Sequence, residues 1–197
     1  ICLTAVCQRV DRIEVERIQD AATRRGPFQE KIGAGLDLAA FERRKQEGTL
    51  RHVGLTESMQ MIAHRMGWTL ESTSDAITPV RAAQRIATDA LTIEPGQAAG
   101  VEQIGTAICA GRECIRLVFR AAVGEPDPHD SVSVEGVPSF RSVIPGGIHG
   151  DIATCAITLN AVGQIRLAAP GLRTMADLPL VSFFADLDAR VAAPDAQ

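Results

Sequence analysis

The fold of this 197-residue chain is decided by residues 103–120, which read QIGTAICAGRECIRLVFR. Two apolar segments flank Gly111-Arg112, and a two-residue loop that begins with glycine is typical of a tight β-hairpin. The loop predicts that apolar side chains share one face of the hairpin and polar ones the other. The predicted pairs are Ala110 with Glu113, Ile108 with Ile115, Ala107 with Arg116, Thr106 with Leu117, Ile104 with Phe119 and Gln103 with Arg120.

The same register places Cys109 opposite Cys114, close enough for a cross-strand disulfide. The chain has five cysteines, an odd number, and unpaired thiols in an acidic chain favour the cytoplasm. We therefore expect both cysteines to be reduced thiols. A zinc site built from the two C-x4-C pairs is disfavoured because structural zinc uses tighter spacings and histidine partners, so no metal is expected.

Helical signals precede the hairpin. Asp37 is placed to cap a helix that runs through Gln46, with Phe41 facing inward. Thr56 is the predicted N-cap of a second helix, which ends at Gly67. Its apolar side chains recur at helical spacing and indicate core packing rather than a ligand groove. They are Met59, Ile62, Ala63 and Met66.

The remaining patterns complete an α+β domain. Ile13 and Val15 alternate with charged residues, as in a half-buried strand. Further strands are predicted near 132–134 and 140–144, and a buried helix of small residues from 152 to 168. We expect residues 1–189 to form one domain, with a largely antiparallel or mixed sheet and helices on one face. Residues 190–197 are expected to be a frayed tail.

Composition and motifs exclude several function classes. The net charge of −4 argues against nucleic acid or an anionic membrane as a partner, and no apolar run is long enough to span a bilayer. Gly33-Ala34-Gly35 follows a polar segment instead of a buried strand, so it is not a dinucleotide fingerprint. No nucleophile or metal-protease motif is present. The chain therefore has no self-sufficient set of catalytic residues.

The segment from Pro145 to Asp151 is the best candidate site. Gly147 and Gly150 allow backbone to approach a ligand closely, and His149 lies where the late helix begins. Asp151 is expected to cap that helix. His149 is either a structural turn residue or a ligand contact.

The helix behind this segment carries polar side chains of its own. Thr154 and Asn160 lie among alanines and aliphatic residues. A polar side chain in a buried helix needs a hydrogen-bond partner. Asn160 therefore bonds either to a neighbouring carbonyl or to a ligand amide.

At this point the motifs resemble a known family, that of the C-terminal domain of 2,4-diaminopentanoate dehydrogenase, which includes native amine dehydrogenases and dihydrodipicolinate-reductase-like proteins. The likeness extends over nearly the whole chain and is most specific over 145–179. The segments that carry it are CQRVDRI (7–13), GIHGDIAT (147–154), Asn160-Ala161 and APGLRTMADLP (169–179).

The resemblance implies the C-terminal half of a Rossmann-type two-domain dehydrogenase. NAD or NADP would be held by an N-terminal domain upstream of Ile1, since this chain lacks the fingerprint. The substrate would be an amine or amino acid, oxidised or formed at a C–N bond. On this view His149, Gly147 and Gly150 line the substrate pocket, and Thr154 and Asn160 face the nicotinamide.

The resemblance also implies a homodimer in which this domain shapes the substrate pocket and the dimer interface. The chain alone is expected to be inactive. A non-catalytic binding or dimerisation module remains an alternative. A dihydrodipicolinate reductase proper is disfavoured, because that enzyme's paired-His motif with a following lysine is absent. None of the four histidines lies in such a motif: His52, His64, His129 and His149.

Overall fold

Eight strands and four α-helices are formed by residues 2–50 and 53–183, which are the residues that the computed structural model describes. The strands are β1 (Arg9–Asp20), β2 (Ser72–Arg81), β3 (Ile86–Ala87), β4 (Thr92–Ile93), β5 (Ala98–Cys109), β6 (Arg112–Ala122), β7 (His129–Val137) and β8 (Phe140–Pro145). The helices are α1 (Gly26–Lys31), α2 (Leu38–Gln46), α3 (Leu55–Met66) and α4 (Gly150–Leu167), and a 3₁₀ helix forms at Cys2–Val6.

Six of the strands form one mixed sheet in the order β2-β5-β6-β1-β7-β8. Only β1 and β6 run parallel, and every other neighbouring pair is antiparallel. Strands β3 and β4 form a separate two-stranded sheet. The predicted α+β class with a mixed sheet is confirmed, and the strands expected near 132–134 and 140–144 are β7 and β8.

The described residues group into two compact units. One unit is Thr4–Gly147 and holds the sheet with α1, α2 and α3. The other contains residues 148–183, including α4. The predicted frayed tail, 190–197, lies outside the described residues. No helix within 2–50 or 53–183 is long and apolar enough to cross a membrane.

The core of the larger unit lies between the sheet and helices α2 and α3. Phe41 of α2 and Met59 of α3 are completely buried. Gly105 of β5 lies directly beneath α3, where a Cβ atom would come within 3.2 Å of the Met59 methyl group. The absence of a side chain at this position therefore lets α3 pack closely on the strand.

The helix boundaries confirm one predicted cap and correct another. The Asp37 carboxylate accepts a hydrogen bond of 2.7 Å from the backbone N–H of Ala40, so the predicted cap of α2 is confirmed. Helix α3 ends at Gly67 as predicted, but its N-cap is Gly54. The prediction that Thr56 caps α3 is wrong by two residues, because Leu55 already lies in the helix and is buried.

The predicted register of the β5–β6 hairpin is wrong. The loop is Ala110-Gly111, so Cys109 pairs with Arg112. A β-bulge follows at Cys114, and beyond it every pair is shifted by one residue from the prediction. Ile115, Leu117 and Phe119 therefore lie opposite Ala107, Gly105 and Gln103, on the face that α3 covers. Ala110 adopts a positive φ of 49°, which is uncommon for a residue other than glycine.

The expectation of two reduced thiols is also wrong, because Cys109 and Cys114 form a disulfide with a Cα–Cα distance of 5.7 Å. In a regular ladder the two side chains would not be opposite each other, since Cys109 pairs with Arg112. Cys114 is the unpaired residue of the bulge, between the Ile108–Glu113 and Ala107–Ile115 pairs. Cys114 is 1% exposed, and Cys2, Cys7 and Cys155 are free thiols.

Helix α4 begins two residues before its predicted start and is not the buried helix that its composition indicates. Ala161 is its one buried residue. Its large apolar side chains are among the most exposed in the described chain: Ile152 68%, Leu159 61%, Ile165 58% and Leu167 75%.

Candidate functional site

The loop between β8 and α4 has a backbone that only glycine adopts readily. Gly146 and Gly147 are consecutive residues with φ values of 77° and 67°. The Gly146 N–H donates to the Pro128 carbonyl at 2.8 Å, and the Gly147 N–H donates to the Ile144 carbonyl at 3.1 Å. These two bonds hold the loop against the end of the β7–β8 ladder, where His129 pairs with Pro145.

Two of the predicted substrate-binding residues, His149 and Gly150, lie at the start of α4. His149 is the N-cap residue and Gly150 the first helical residue. The His149 side chain makes no capping hydrogen bond and is exposed. Asp151 does not cap the helix as predicted. It lies in the first turn, where a carboxylate is favoured by the helix dipole.

The two predicted cofactor-binding residues lie further along α4. The Thr154 hydroxyl donates to the Gly150 carbonyl at 2.8 Å, so its proton is already used within the helix. Asn160 is half-buried, and its carboxamide makes no hydrogen bond to another described residue. The rise of an α-helix separates Asn160 from His149 by about 16 Å, so one small molecule cannot contact both.

A polar cluster that the sequence did not predict lies on the sheet beside the glycine loop. The carboxylate of Glu16 on β1 accepts hydrogen bonds from Ser131 Oγ at 2.7 Å and from Arg141 Nη2 at 2.8 Å. These two residues lie on β7 and β8, so the cluster joins three adjacent strands. The Ser131 hydrogen bond and the Arg141 charge outweigh partial burial and lower the pKa of Glu16 below its usual value.

His129 completes this cluster from the first position of β7. Its Nδ1 lies 2.9 Å from the Asp127 carbonyl, and its Nε2 lies 3.6 Å from Glu16 Oε2. The side chain is 15% exposed. A Cβ atom on Gly147 would lie 3.5 Å from the backbone carbonyl carbon of His129. His129 therefore links the Glu16 cluster to the loop that precedes His149.

The same face of the sheet carries a second network around Arg12 of β1. Its guanidinium lies 2.8 to 2.9 Å from the carboxylates of Glu14, Glu113 and Glu135. Burial alone would lower the pKa of Arg12, but the hydrogen bonds to these three carboxylates outweigh it and raise the pKa. A third group of charges on this face consists of Arg120 and the carboxylates of Glu102 and Glu125, with which it forms ion pairs. This face of the sheet is therefore lined by paired charges.

The segment Gly33-Ala34-Gly35 does not form a dinucleotide-binding turn. Gly33-Ala34-Gly35 follows helix α1 instead of a strand. A Cβ atom on Gly33 would lie 3.1 Å from side-chain atoms of Phe41 and Leu50, so this glycine serves core packing. Within 2–50 and 53–183 no three His, Cys, Asp or Glu side chains form a metal-binding group.

The Glu16 cluster could not be found from sequence because its members are distant in the chain. Glu16 and Ser131 are 115 residues apart and meet through the pairing of β1 with β7. The available signal was the alternation of Glu14 and Glu16 with apolar residues in β1, which indicates a polar face but not the strands beside it.

Comparison with known proteins matches residues 1–192 to the family model described as the 2,4-diaminopentanoate dehydrogenase C-terminal domain. A 2,4-diaminopentanoate dehydrogenase from Acetoanaerobium sticklandii is 33% identical over 192 residues. That match covers 91% of this chain and 53% of the relative, so the chain spans about half of the relative's length.

A solved structure shares the fold. The amine dehydrogenase from Mycobacterium smegmatis aligns with a TM-score of 0.79 at 18% identity, over 93% of this chain and 55% of that one. The glycine loop, α4 and the mixed sheet thus occur in a chain that matches the family model over nearly its whole length. This chain belongs to the family of the 2,4-diaminopentanoate dehydrogenase C-terminal domain.

Proposed function

We propose that this chain is the substrate-binding and oligomerisation domain of an NAD(P)-dependent oxidoreductase that acts on the C–N bond of an amine or amino acid. The observation that carries the proposal is the family match over residues 1–192. A relative named as a 2,4-diaminopentanoate dehydrogenase and a structural neighbour named as an amine dehydrogenase support this reaction class.

The nicotinamide would enter from a dinucleotide-binding domain outside these 197 residues, since the described residues form no cradle for it. When bound, NAD or NADP supplies the hydride acceptor. The part of this chain is then to bind and orient the amine. We assign that part to His149, Gly147 and Gly150, with Thr154 and Asn160 on the cofactor side.

The loop geometry supports this assignment. Gly146 and Gly147, both with positive φ, lead the chain from β8 toward α4. Gly150, the first residue of the helix, has no side chain beside His149. The His149 side chain makes no helix-capping bond, and its two ring nitrogens hydrogen-bond to no other residue within 2–50 or 53–183. Both nitrogens are therefore available to a substrate. We further propose a cytoplasmic homodimer.

The proposal is tested by joining the chain behind a dinucleotide-binding half, such as the N-terminal part of the A. sticklandii relative, and assaying amine oxidation through the appearance of the reduced nicotinamide. We expect turnover from the joined protein, no turnover from the chain alone, and no binding of reduced nicotinamide by the chain alone in a fluorescence titration. Turnover by the chain alone, or micromolar binding of the nicotinamide to it, would contradict the proposal.

A further inference from the structure

Helix α4 and the segment that follows it form an open cavity of about 660 Å³. All of its lining residues lie between 161 and 178, within the unit that contains α4. Its volume is in the range of small-molecule sites. Its lining is mainly apolar but largely open to solvent. Ile165 is 58%, Met175 47% and Leu172 98% exposed, whereas Ala161 is buried and Leu178 half-buried. None of the residues proposed above as substrate or cofactor contacts lines it.

The wall opposite α4 is held in place by its own hydrogen bonds. The backbone N–H and the hydroxyl of Thr174 both donate to the Asp177 carboxylate, at 2.8 and 2.7 Å. The Asp177 N–H in turn donates to the Thr174 carbonyl at 3.0 Å. This closed turn contains Met175, which lines the cavity and is 47% exposed.

Arg173 places a positive charge in this wall, with no counter-ion among the residues that the structure describes. Its Nε donates to the Ala169 carbonyl and its Nη2 to the Pro170 carbonyl, both at 2.9 Å. Both partners are neutral, and no carboxylate of the described residues lies within ion-pair distance of the guanidinium. Arg12, Arg120 and Arg141, in contrast, each contact at least one glutamate.

The two carbonyl contacts also fix the direction of the Arg173 guanidinium. They use N–H donors of Nε and Nη2, so the two N–H donors of Nη1 are available to a ligand. A guanidinium of fixed direction binds a carboxylate with less loss of side-chain freedom than a mobile one.

We propose that the cavity binds a small carboxylate with an apolar chain, the carboxylate at Arg173 and the chain against Ala161 and Ile165. Charge complementarity selects the anion, and the apolar walls select the chain. This is a second ligand site, because twelve helical residues place Ala161 about 18 Å from His149 along α4. It does not depend on the proposed function, since the ligand can be measured on the chain without a cofactor.

The first test titrates the chain with acetate, butanoate and hexanoate while the methyl resonances of Ile165 and Met175 are followed by NMR. We expect saturable shifts and an affinity that rises about fourfold for each added methylene, the gain for burying that group. Hexylamine, with a similar chain and the opposite charge, is expected to leave the resonances unmoved. Equal shifts with hexylamine and hexanoate, or no saturation with hexanoate, would overturn the proposal.

The second test compares Arg173→Gln with Arg166→Gln. Arg166 lies in the last turn of α4, is exposed and does not line the cavity. We expect Arg173→Gln to weaken hexanoate binding about tenfold, the loss of a charged hydrogen bond, and Arg166→Gln to leave it unchanged. The same loss in both variants would show non-specific attraction and overturn the site. The chain-length series on the unsubstituted chain decides the question even where a variant does not fold.

Discussion

Helices α3 and α4 are both rich in apolar side chains, but only α3 buries them. In α3 the apolar residues recur every three to four positions, and Leu55, Met59 and Ala63 face the sheet. In α4 they occur all round the helix, and Ala161 alone is buried. The contrast teaches that periodicity, which selects one face, predicts burial better than apolar content does.

The largest effect should come from removing core side chains from α3. Met59 is fully buried beside Gly105, so Met59→Ala leaves a cavity and should reduce the free energy of unfolding by about 2–5 kcal/mol. The matched change on α4, Leu159→Ala, removes a side chain that is 61% exposed and should cost less than about 0.5 kcal/mol. Denaturant unfolding of both variants checks the pair. An equal loss of unfolding free energy in the two variants would contradict the conclusion that α3 buries its apolar side chains and α4 does not.

A smaller effect is expected from the disulfide of the β5–β6 hairpin. The double variant Cys109→Ser/Cys114→Ser opens a short covalent loop and should lower the free energy of unfolding by about 2 kcal/mol, since a short loop restricts the unfolded chain only modestly. Cys155→Ser on α4 changes an exposed free thiol and is the control, with no expected change. Thiol counting on the denatured, unreduced chain should give three free cysteines. Five would show that the disulfide does not form.

The smallest effect concerns Glu16 and is visible as a pH dependence. Its pKa is lowered in the folded chain, so its contribution to stability is present above the usual glutamate pKa and is lost as pH falls through the lowered value. Glu16→Gln should therefore cost about 1 kcal/mol or less at pH 7, because the side chain is 27% exposed, and the cost should shrink toward pH 3.

The control for this change is Asp89→Asn, which alters an exposed carboxylate without a partner among the described residues. Unfolding measured at both pH values should show no pH-dependent difference between Asp89→Asn and the unsubstituted chain. A Glu16→Gln cost that stayed constant between pH 7 and pH 3 would contradict the assigned role of the carboxylate.

Features set by adjacent residues could be predicted from sequence. Asp37 caps α2 through a bond to a residue three positions away, and Gly67 ends α3 through its own positive φ. Both depend on local chemistry, which a sequence displays directly. The candidate loop was located for the same reason, because Gly146 and Gly147 are consecutive and precede a helix.

Features set by long-range packing could not be predicted. The hairpin register depends on the bulge at Cys114, and a one-residue shift exchanges the two faces of a strand. The bulge is favoured by the disulfide and by the burial of Ile115 beneath α3, neither of which a hairpin loop reveals. The Glu16 cluster was missed because it needs three strands to be aligned first. Arg173 lies in the segment APGLRTMADLP (169–179) that carries the family resemblance, but its hydrogen bonds to two backbone carbonyls could not be predicted from sequence.

The central claim is that the start of α4 contacts the amine substrate of a dehydrogenase. It is tested most directly by steady-state kinetics of the chain joined to the dinucleotide-binding half of a relative, with His149→Ala measured beside Leu159→Ala. We predict that His149→Ala lowers kcat/KM for the amine about tenfold, as for loss of one hydrogen bond to a charged group, with the KM for the nicotinamide unchanged. Leu159→Ala should leave both constants unchanged. An unaltered kcat/KM in His149→Ala would contradict the claim and leave His149 a structural turn residue.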